Sequence, residues 1–288
     1  MKAPGGPTVG IVGLGLLGGS LARDLAAAGW RVQGADRDPE TERRARESGV
    51  VAGTIDPGAV DVIVLAVPVR AIPTWIRTLA PELAPDTVVT DVGSTKRSVV
   101  EAAEAAGLGP RFVGSHPMAG DHRSGWTAAR TGLFGGAAVW TCPTGHTDPA
   151  ALSSVTALWR GVGAEPRVMD ATDHDRLLAR SSHLPQLVAS ALASALARDG
   201  VTPGDLGPGG HDMTRLAGSH PAMWADILAD NHDEVGAALA QLQGVLKRVR
   251  RAVGDRDDAT LRSLLGAANA WARGEADPET AAAGPLFL

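Results

Sequence analysis

The stretch T-V-G-I-V-G-L-G-L-L-G, Thr8 to Gly18, decides the fold. A β-branched run, Thr8 to Leu14, passes straight into G-L-G-L-L-G, Gly13 to Gly18. A strand ending in glycine turns tightly, a second glycine lets a pyrophosphate approach the backbone, and a third lets the next helix pack on the strand. That helix begins with free N–H groups and a partial positive charge facing the phosphates. The next β-branched run, R-V-Q-G-A-D, ends at Asp36, where a carboxylate can accept both adenosine-ribose hydroxyls. The order of strand, glycine turn, helix, strand and acid marks a dinucleotide site formed by Gly13, Gly15, Leu16, Leu17, Gly18 and Asp36. Asp36 would repel a 2′-phosphate, which favours NAD. Arg37, Arg43 and Arg44 are close enough to leave NADP possible, although a solvated helix face explains them better.

Outward from this unit the same alternation continues. Strand-like runs span Asp61 to Val67, Thr87 to Val92, Arg111 to Ser115 and Ala137 to Thr141, with amphipathic segments between them. Such alternation reads as α/β, a Rossmann-type doubly wound sheet, over residues 1–169. From Asp170 the strands stop. Long Ala/Leu/Arg segments predict helices over Asp170 to Arg198, Asp212 to Ala217, Pro221 to Asn231, Asp233 to Val253 and Asp255 to Gly274, so residues 170–288 read as an all-α second domain. The Gly- and Pro-rich stretch from Gly200 to Gly210 is a loop between helices.

Composition narrows the function classes. With 288 residues, 44% hydrophobic and 20% charged, the chain is a globule with a sizeable core. A net charge of −5 offers no general attraction to nucleic acid or anionic lipid. The single cysteine, Cys142, cannot close an intrachain disulfide, so the cytoplasm is the expected compartment. The longest apolar run, around Val60 to Val69, falls far short of the roughly 20 residues that cross a bilayer. Residues 1–28 imitate a secretion signal through Lys2 and Ala26-Ala27-Ala28, but the glycines from Gly10 to Gly19 and the charges of Arg23 and Asp24 argue against one.

Ligands of doubly wound sheets sit beyond the carboxyl ends of the strands. Two of those ends carry Ala66-Val67-Pro68, expected to line the cofactor, and D-V-G-S-T-K, Asp91 to Lys96. There Ser94 is read as a site residue, Thr95 as a helix cap and Lys96 as exposed. The next end carries G-S-H-P-M-A-G, Gly114 to Gly120. A loop histidine is more often structural, but His116 just past a strand end near the nicotinamide is suited to take a proton.

With G-S-H-P-M-A-G, S-H-L-P (Ser182 to Pro185) and T-R-L-A-G-S-H-P-A-M-W (Thr214 to Trp224) added to the glycine motif, A-V-P and D-V-G-S-T-K, the chain resembles the prephenate and arogenate dehydrogenase family of tyrosine biosynthesis. The resemblance covers nearly the whole chain in the right order. It implies oxidative decarboxylation of a cyclohexadienol, with hydride passing to NAD(P)+. It further implies that His116 takes the substrate hydroxyl proton, that Ser94 orients the hydroxyl and the histidine, and that Arg215 clamps the ring carboxylate. The bland alternative for Arg215 is a helix-surface ion pair with Asp212. His183 would contact substrate or anchor a helix broken by Pro185. The helical half is implied to be a dimerisation domain, making a homodimer, and Met223 reads as core.

Gln186 stands where many prephenate-specific members carry a second histidine. It is therefore a candidate substrate-binding residue, and arogenate or a 4-amino analogue of prephenate becomes an alternative substrate. No fused regulatory or mutase domain is expected. The β-hydroxyacid dehydrogenases share the scaffold but carry a catalytic lysine on the interdomain helix, and lysine occurs here only at Lys2, Lys96 and Lys247. A metal site from His116, His122, Cys142 and His146 lacks a tight ligand pair. A non-catalytic NAD-sensing dimer is the alternative of another class, against which His116, Ser94 and Arg215 speak.

Overall fold

The computed structural model describes residues 6–275 apart from residue 122. The chain divides into two compact units, Met1–His232 and Asp233–Leu288. In the first, seven strands form one sheet: β1 (Thr8–Val12), β2 (Arg31–Ala35), β3 (Val62–Leu65), β4 (Val88–Asp91), β5 (Phe112–Pro117), β6 (Ala138–Pro143) and β7 (Glu165–Val168), in the order β2-β1-β3-β4-β5-β6-β7. Among the described residues nine α-helices accompany them: α1 (Leu16–Ala27), α2 (Pro39–Glu47), α3 (Ile72–Leu79), α4 (Arg97–Ala105), α5 (Pro149–Gly161), α6 (Ala171–Leu178), α7 (Leu184–Arg198), α8 (Pro208–Thr214) and α9 (Pro221–Asp230). The second unit holds α10 (His232–Gly254), which starts on the last residue of the first unit, and α11 (Asp258–Ala272), capped by the Asp257 carboxylate on Thr260 N–H.

The first five strands run parallel, and the crossover from β2 to β3 passes over β1, which lies between them. β6 pairs antiparallel to β5. The connection between those two strands carries only a short 3-10 turn, Trp126–Ala128, and no crossover helix to carry the chain back. β7, parallel to β6, is a seventh strand the sequence pattern did not announce. Its E-P-R-V sequence is mostly exposed and contains Pro166, as suits an edge strand.

The sheet is covered on both faces, so central strands are apolar throughout rather than alternating. Along β3, Val62 and Val64 join the core of Val9, Ile11, Leu21 and Trp159. Ile63 and Leu65 join that of Ile72, Ile76, Phe112 and Ile227. Through Ile227, α9 belongs to the same packed body as the sheet. The predicted helix from Asp170 to Arg198 exists but is not uniform: between α6 and α7 the chain makes a π turn, Ala179–His183. Pro185 has no N–H and its ring would clash with the carbonyl four residues back in a regular helix. The widened turn takes up that misfit without ending the helix.

Candidate active site

Because β1, β3, β4 and β5 are parallel, their carboxyl ends gather on one edge of the sheet. At the end of β1, Gly13 has φ +93°, and a Cβ there would lie 2.2 Å from the Ala66 carbonyl oxygen. A Cβ on Gly18 would lie 1.9 Å from the Gly13 carbonyl oxygen and 2.8 Å from Ala66 Cβ. Ala66, with Val67 behind it, therefore braces the turn from the end of β3, while Pro68 is exposed. A Cβ on Gly15 would meet nothing within 4 Å, and Gly15 begins α1 with no side-chain cap. Open space before an uncapped helix start that includes Leu16 and Leu17 is what a pyrophosphate needs, so these residues fit a dinucleotide.

Asp36 accepts the Leu14 N–H at 2.7 Å and the Asp38 N–H at 3.0 Å, which fixes its carboxylate beside the glycine turn. Two of the nearby arginines are already engaged. Arg43 pairs with Glu40 and Glu47, and Arg44 with Glu40. Glu42 accepts the Asp36 N–H and pairs with Arg46. Arg37 is exposed. A 2′-phosphate would thus meet the Asp36 carboxylate with Arg43 and Arg44 held by other partners, which favours NAD and leaves NADP to the exposed Arg37.

The D-V-G-S-T-K turn departs from expectation. Lys96 is fully buried and pairs with Asp91, also fully buried, while its Nζ donates to the Ser115 carbonyl at 2.9 Å. Asp91 in turn accepts the N–H groups of Gly93 and Ser115 at 2.7 and 2.9 Å. Thr95 is no cap. Its hydroxyl donates to Asp230 of α9 at 2.5 Å, and Ser98 does the same at 2.7 Å. The cap of α4 comes from far along the chain: the Asp175 carboxylate accepts the Lys96 and Arg97 N–H groups at 2.8 and 3.0 Å. The turn so fixed leaves Ser94 in the wall of a cavity of about 320 Å³.

His116, near the end of β5, lines the same cavity. Its Nδ1 lies 2.9 Å from Nε2 of His174, whose Nδ1 lies 2.8 Å from Asp175 Oδ1. The two rings meet edge to face, with centroids 5.1 Å apart. Burial, then the charges of His174, Lys96 and His183, hold the His116 imidazole well below its ordinary pKa, so it is a neutral acceptor at pH 7. Burial also lowers His174, against an opposing hydrogen bond to Asp175. His174 and Asp175 escaped the sequence reading. Their signal was there: Ala171, His174, Asp175 and Leu178 are the buried positions of α6, so a histidine and an aspartate occupy a face whose spacing calls for apolar residues.

The π turn places Ser182 and His183 in the cavity wall. Burial brings His183 down to a pKa of about 4. Its ring stands edge to face against Trp224, centroids 6.0 Å apart. Trp224 and Met223 also line the cavity, and Met223 is 49% exposed, so it is wall rather than core as expected from sequence.

Gln186 and Arg215 are not in that wall. Gln186 is buried, donates to the Leu216 carbonyl at 2.8 Å and accepts the Ser219 hydroxyl at 3.2 Å. Its amide thus ties α7 to the 3-10 turn Arg215–Gly218. Arg215 is exposed on that turn, and among the described residues its guanidinium has no ion-pair partner, Asp212 included. Of the residues considered for a metal, Cys142 is a buried thiol pushed up to about 12 by burial, His146 faces Glu104, and His122 lies outside the described residues. Among the described residues no cluster of three or more candidate ligands exists, and no helix is long and apolar enough to cross a membrane.

Comparison with known proteins gives a consistent picture. The family model for the nucleotide-binding domain of prephenate dehydrogenase matches residues 21–168, and that for its dimerization domain matches residues 170–267. The cyclohexadienyl dehydrogenase of Zymomonas mobilis is 31% identical over 261 residues, 86% of this chain and 89% of that protein. The prephenate dehydrogenase of Bacillus subtilis is 35% identical over 242 residues, 79% of this chain and 65% of that protein. A crystal structure of prephenate dehydrogenase from A. aeolicus, in complex with hydroxyphenyl propionate and NAD+, superposes with a TM-score of 0.81 at 34% identity, covering 92% of this chain and 97% of that one.

Proposed function

We propose that this chain, which belongs to the prephenate dehydrogenase family, catalyses the NAD-dependent oxidative decarboxylation of prephenate to 4-hydroxyphenylpyruvate. The observation that carries this reading is the imidazole of His116, lining a cavity together with Ser94 and hydrogen-bonded through His174 to Asp175.

Held at the glycine turn, NAD+ would supply the acceptor for the hydride of the hydroxyl-bearing ring carbon. Nε2 of His116 takes the hydroxyl proton as that carbon becomes a carbonyl. Ser94 orients the hydroxyl toward the imidazole. The carbon–carbon bond to the ring carboxylate then breaks, carbon dioxide leaves, and the bonding pair enters the ring. The former carbonyl oxygen becomes a phenol by taking its proton back from His116, so the histidine ends as it began. Arg215, an unpaired guanidinium on the turn that Gln186 anchors, would grip a carboxylate with two parallel hydrogen bonds. His183 would contact substrate from the wall.

Arogenate is the second substrate reading, favoured by the likeness to a cyclohexadienyl dehydrogenase, with the 4-amino analogue of prephenate as a third. We further propose residues 1–169 as the dinucleotide-binding domain and 170–288 as the substrate and dimerisation domain, a homodimer through the helical region, and a cytoplasmic location. Following NADH absorbance with prephenate, arogenate and the 4-amino analogue, each with NAD+ and NADP+, tests the function. No turnover with any of the three would reject it in favour of an NAD-sensing dimer.

A further inference from the structure

We propose that Asp175 and Asn231 are positioning residues that give the two cavity histidines opposite tautomers, a bare Nε2 on His116 and a protonated Nε2 on His183. The assignment deepens the dehydrogenase reading and rests on it for its catalytic meaning, although the tautomers themselves can be measured without turnover.

The first tautomer follows from what a carboxylate can do. Asp175 Oδ1 only accepts, so His174 Nδ1, at 2.8 Å, carries a hydrogen. Burial keeps His174 neutral, which leaves its Nε2 as a lone pair. The neighbouring Nδ1 of His116, at 2.9 Å, must then be the donor, and Nε2 of His116 is bare. When that nitrogen takes a proton, the charge formed is met by two hydrogen bonds already in place and a buried carboxylate. No proton has to move along the chain.

The second tautomer is set from Asn231, the residue that follows α9. Asn231 is fully buried, and its Nδ2 donates to the Asp175 backbone carbonyl at 2.8 Å. A carbonyl only accepts, which fixes which end of the amide is nitrogen. The second hydrogen of Nδ2 is directed to His183 Nδ1 at 3.3 Å, so Nδ1 accepts and Nε2 carries the hydrogen. Among the described residues the buried Asn231 Oδ1 has no hydrogen-bond partner. An orphaned carbonyl oxygen is an expensive feature, and here it accompanies an amide whose two hydrogens both reach defined acceptors. Residue 175 thus supports both rings, one through its side chain and the other through its backbone. The cavity receives an acceptor from β5 and a neutral donor from the π turn. The donor suits an anionic or carbonyl oxygen of the substrate, while the acceptor suits the hydroxyl.

The test is long-range proton–nitrogen NMR on the full-length protein labelled at histidine with nitrogen-15, with assignments from His116→Gln and His183→Gln. The expected spectrum shows a pyridine-type Nε2 at His116 and a pyrrole-type Nε2 at His183; the reverse pattern at either residue overturns the assignment. Asn231→Asp, which presents only acceptors, should move the His183 hydrogen to Nδ1, and an unmoved tautomer removes control from Asn231. Should that variant fail to fold, the wild-type spectrum still decides. His174→Ala should lower kcat by ~10-fold or more with NAD affinity unchanged, while an equal loss of both would make His174 merely structural. Tautomers as assigned in a protein that oxidises no cyclohexadienol would leave this inference standing and reject the function.

Discussion

Nζ of Lys96 donates to the carbonyl oxygen of Ser115 across 2.9 Å, with the lysine's charge met by Asp91. This contact joins the turn that carries Ser94 to the strand that carries His116. Two strand ends are locked together by a cation that has no access to water. Lys96→Met would leave the Asp91 carboxylate buried without its counter-ion, a loss of about 3–5 kcal/mol. Lys247→Met, at an exposed position, should change stability by less than about 0.5 kcal/mol. Urea denaturation of the two variants compares them, and equal midpoints would show that the buried pair contributes nothing.

The glycine turn separates folding from cofactor binding. Gly13→Ala forces a side chain into φ +93° against the Ala66 carbonyl and should cost ~2 kcal/mol or more. Gly15→Ala meets open space at φ −69°, so its melting temperature should stay close to wild type. Its NAD affinity should nonetheless fall ~10-fold or more, because the methyl group occupies the pyrophosphate's approach. Calorimetric NAD titration and thermal melts read both effects. A Gly15→Ala protein that binds NAD normally would displace the pyrophosphate from this turn.

His116→Asn should lower turnover by ~10²–10⁴-fold, the usual contribution of a positioned base, while NAD affinity stays within about twofold. Arg215→Ala should chiefly raise the Michaelis constant for the cyclohexadienol by ~10-fold or more, as loss of a bidentate carboxylate contact does. An unchanged constant would take the guanidinium out of substrate binding.

Acid should act on stability through the buried histidines. Burial holds His116 and His183 below the ordinary histidine value of 6.5, His183 at about 4. Between those values the unfolded chain binds protons that the folded chain does not, so stability is full above about pH 6.5 and declines as pH falls toward 4. His183→Gln should flatten part of that decline in chemical denaturation at stepped pH. An identical slope in the variant would assign the decline to other groups.

The sequence revealed most where the physics is local. Strand runs, the tight turn at Gly13, the close packing at Gly18, and the position of His116 and Ser94 at strand ends all depend on neighbours within a few residues. What escaped depends on partners far along the chain. Lys96 looked exposed because the carboxylate that buries it, Asp91, and the carbonyl it meets, Ser115, are brought together only by the sheet. Thr95 looked like a cap because the actual cap, Asp175, arrives from α6. β7 was hidden by Pro166 and by an edge position that demands no apolar pattern. Gln186 looked like a substrate contact from its place in S-H-L-P-Q, whereas its amide spends itself on the turn that bears Arg215.

The π turn at Ala179–His183 makes the helix behave as two keyed shafts with a fixed offset. Deleting one residue from it would return the hydrogen bonding to a regular spiral, in which the ring of Pro185 meets the carbonyl four residues back. The helix would bend at that clash, and the shaft bearing His174 and Asp175 would swing away from the one bearing Gln186. A shortened chain of this kind would keep its helical circular dichroism and lose its chemistry, the signature of a part cut one tooth short.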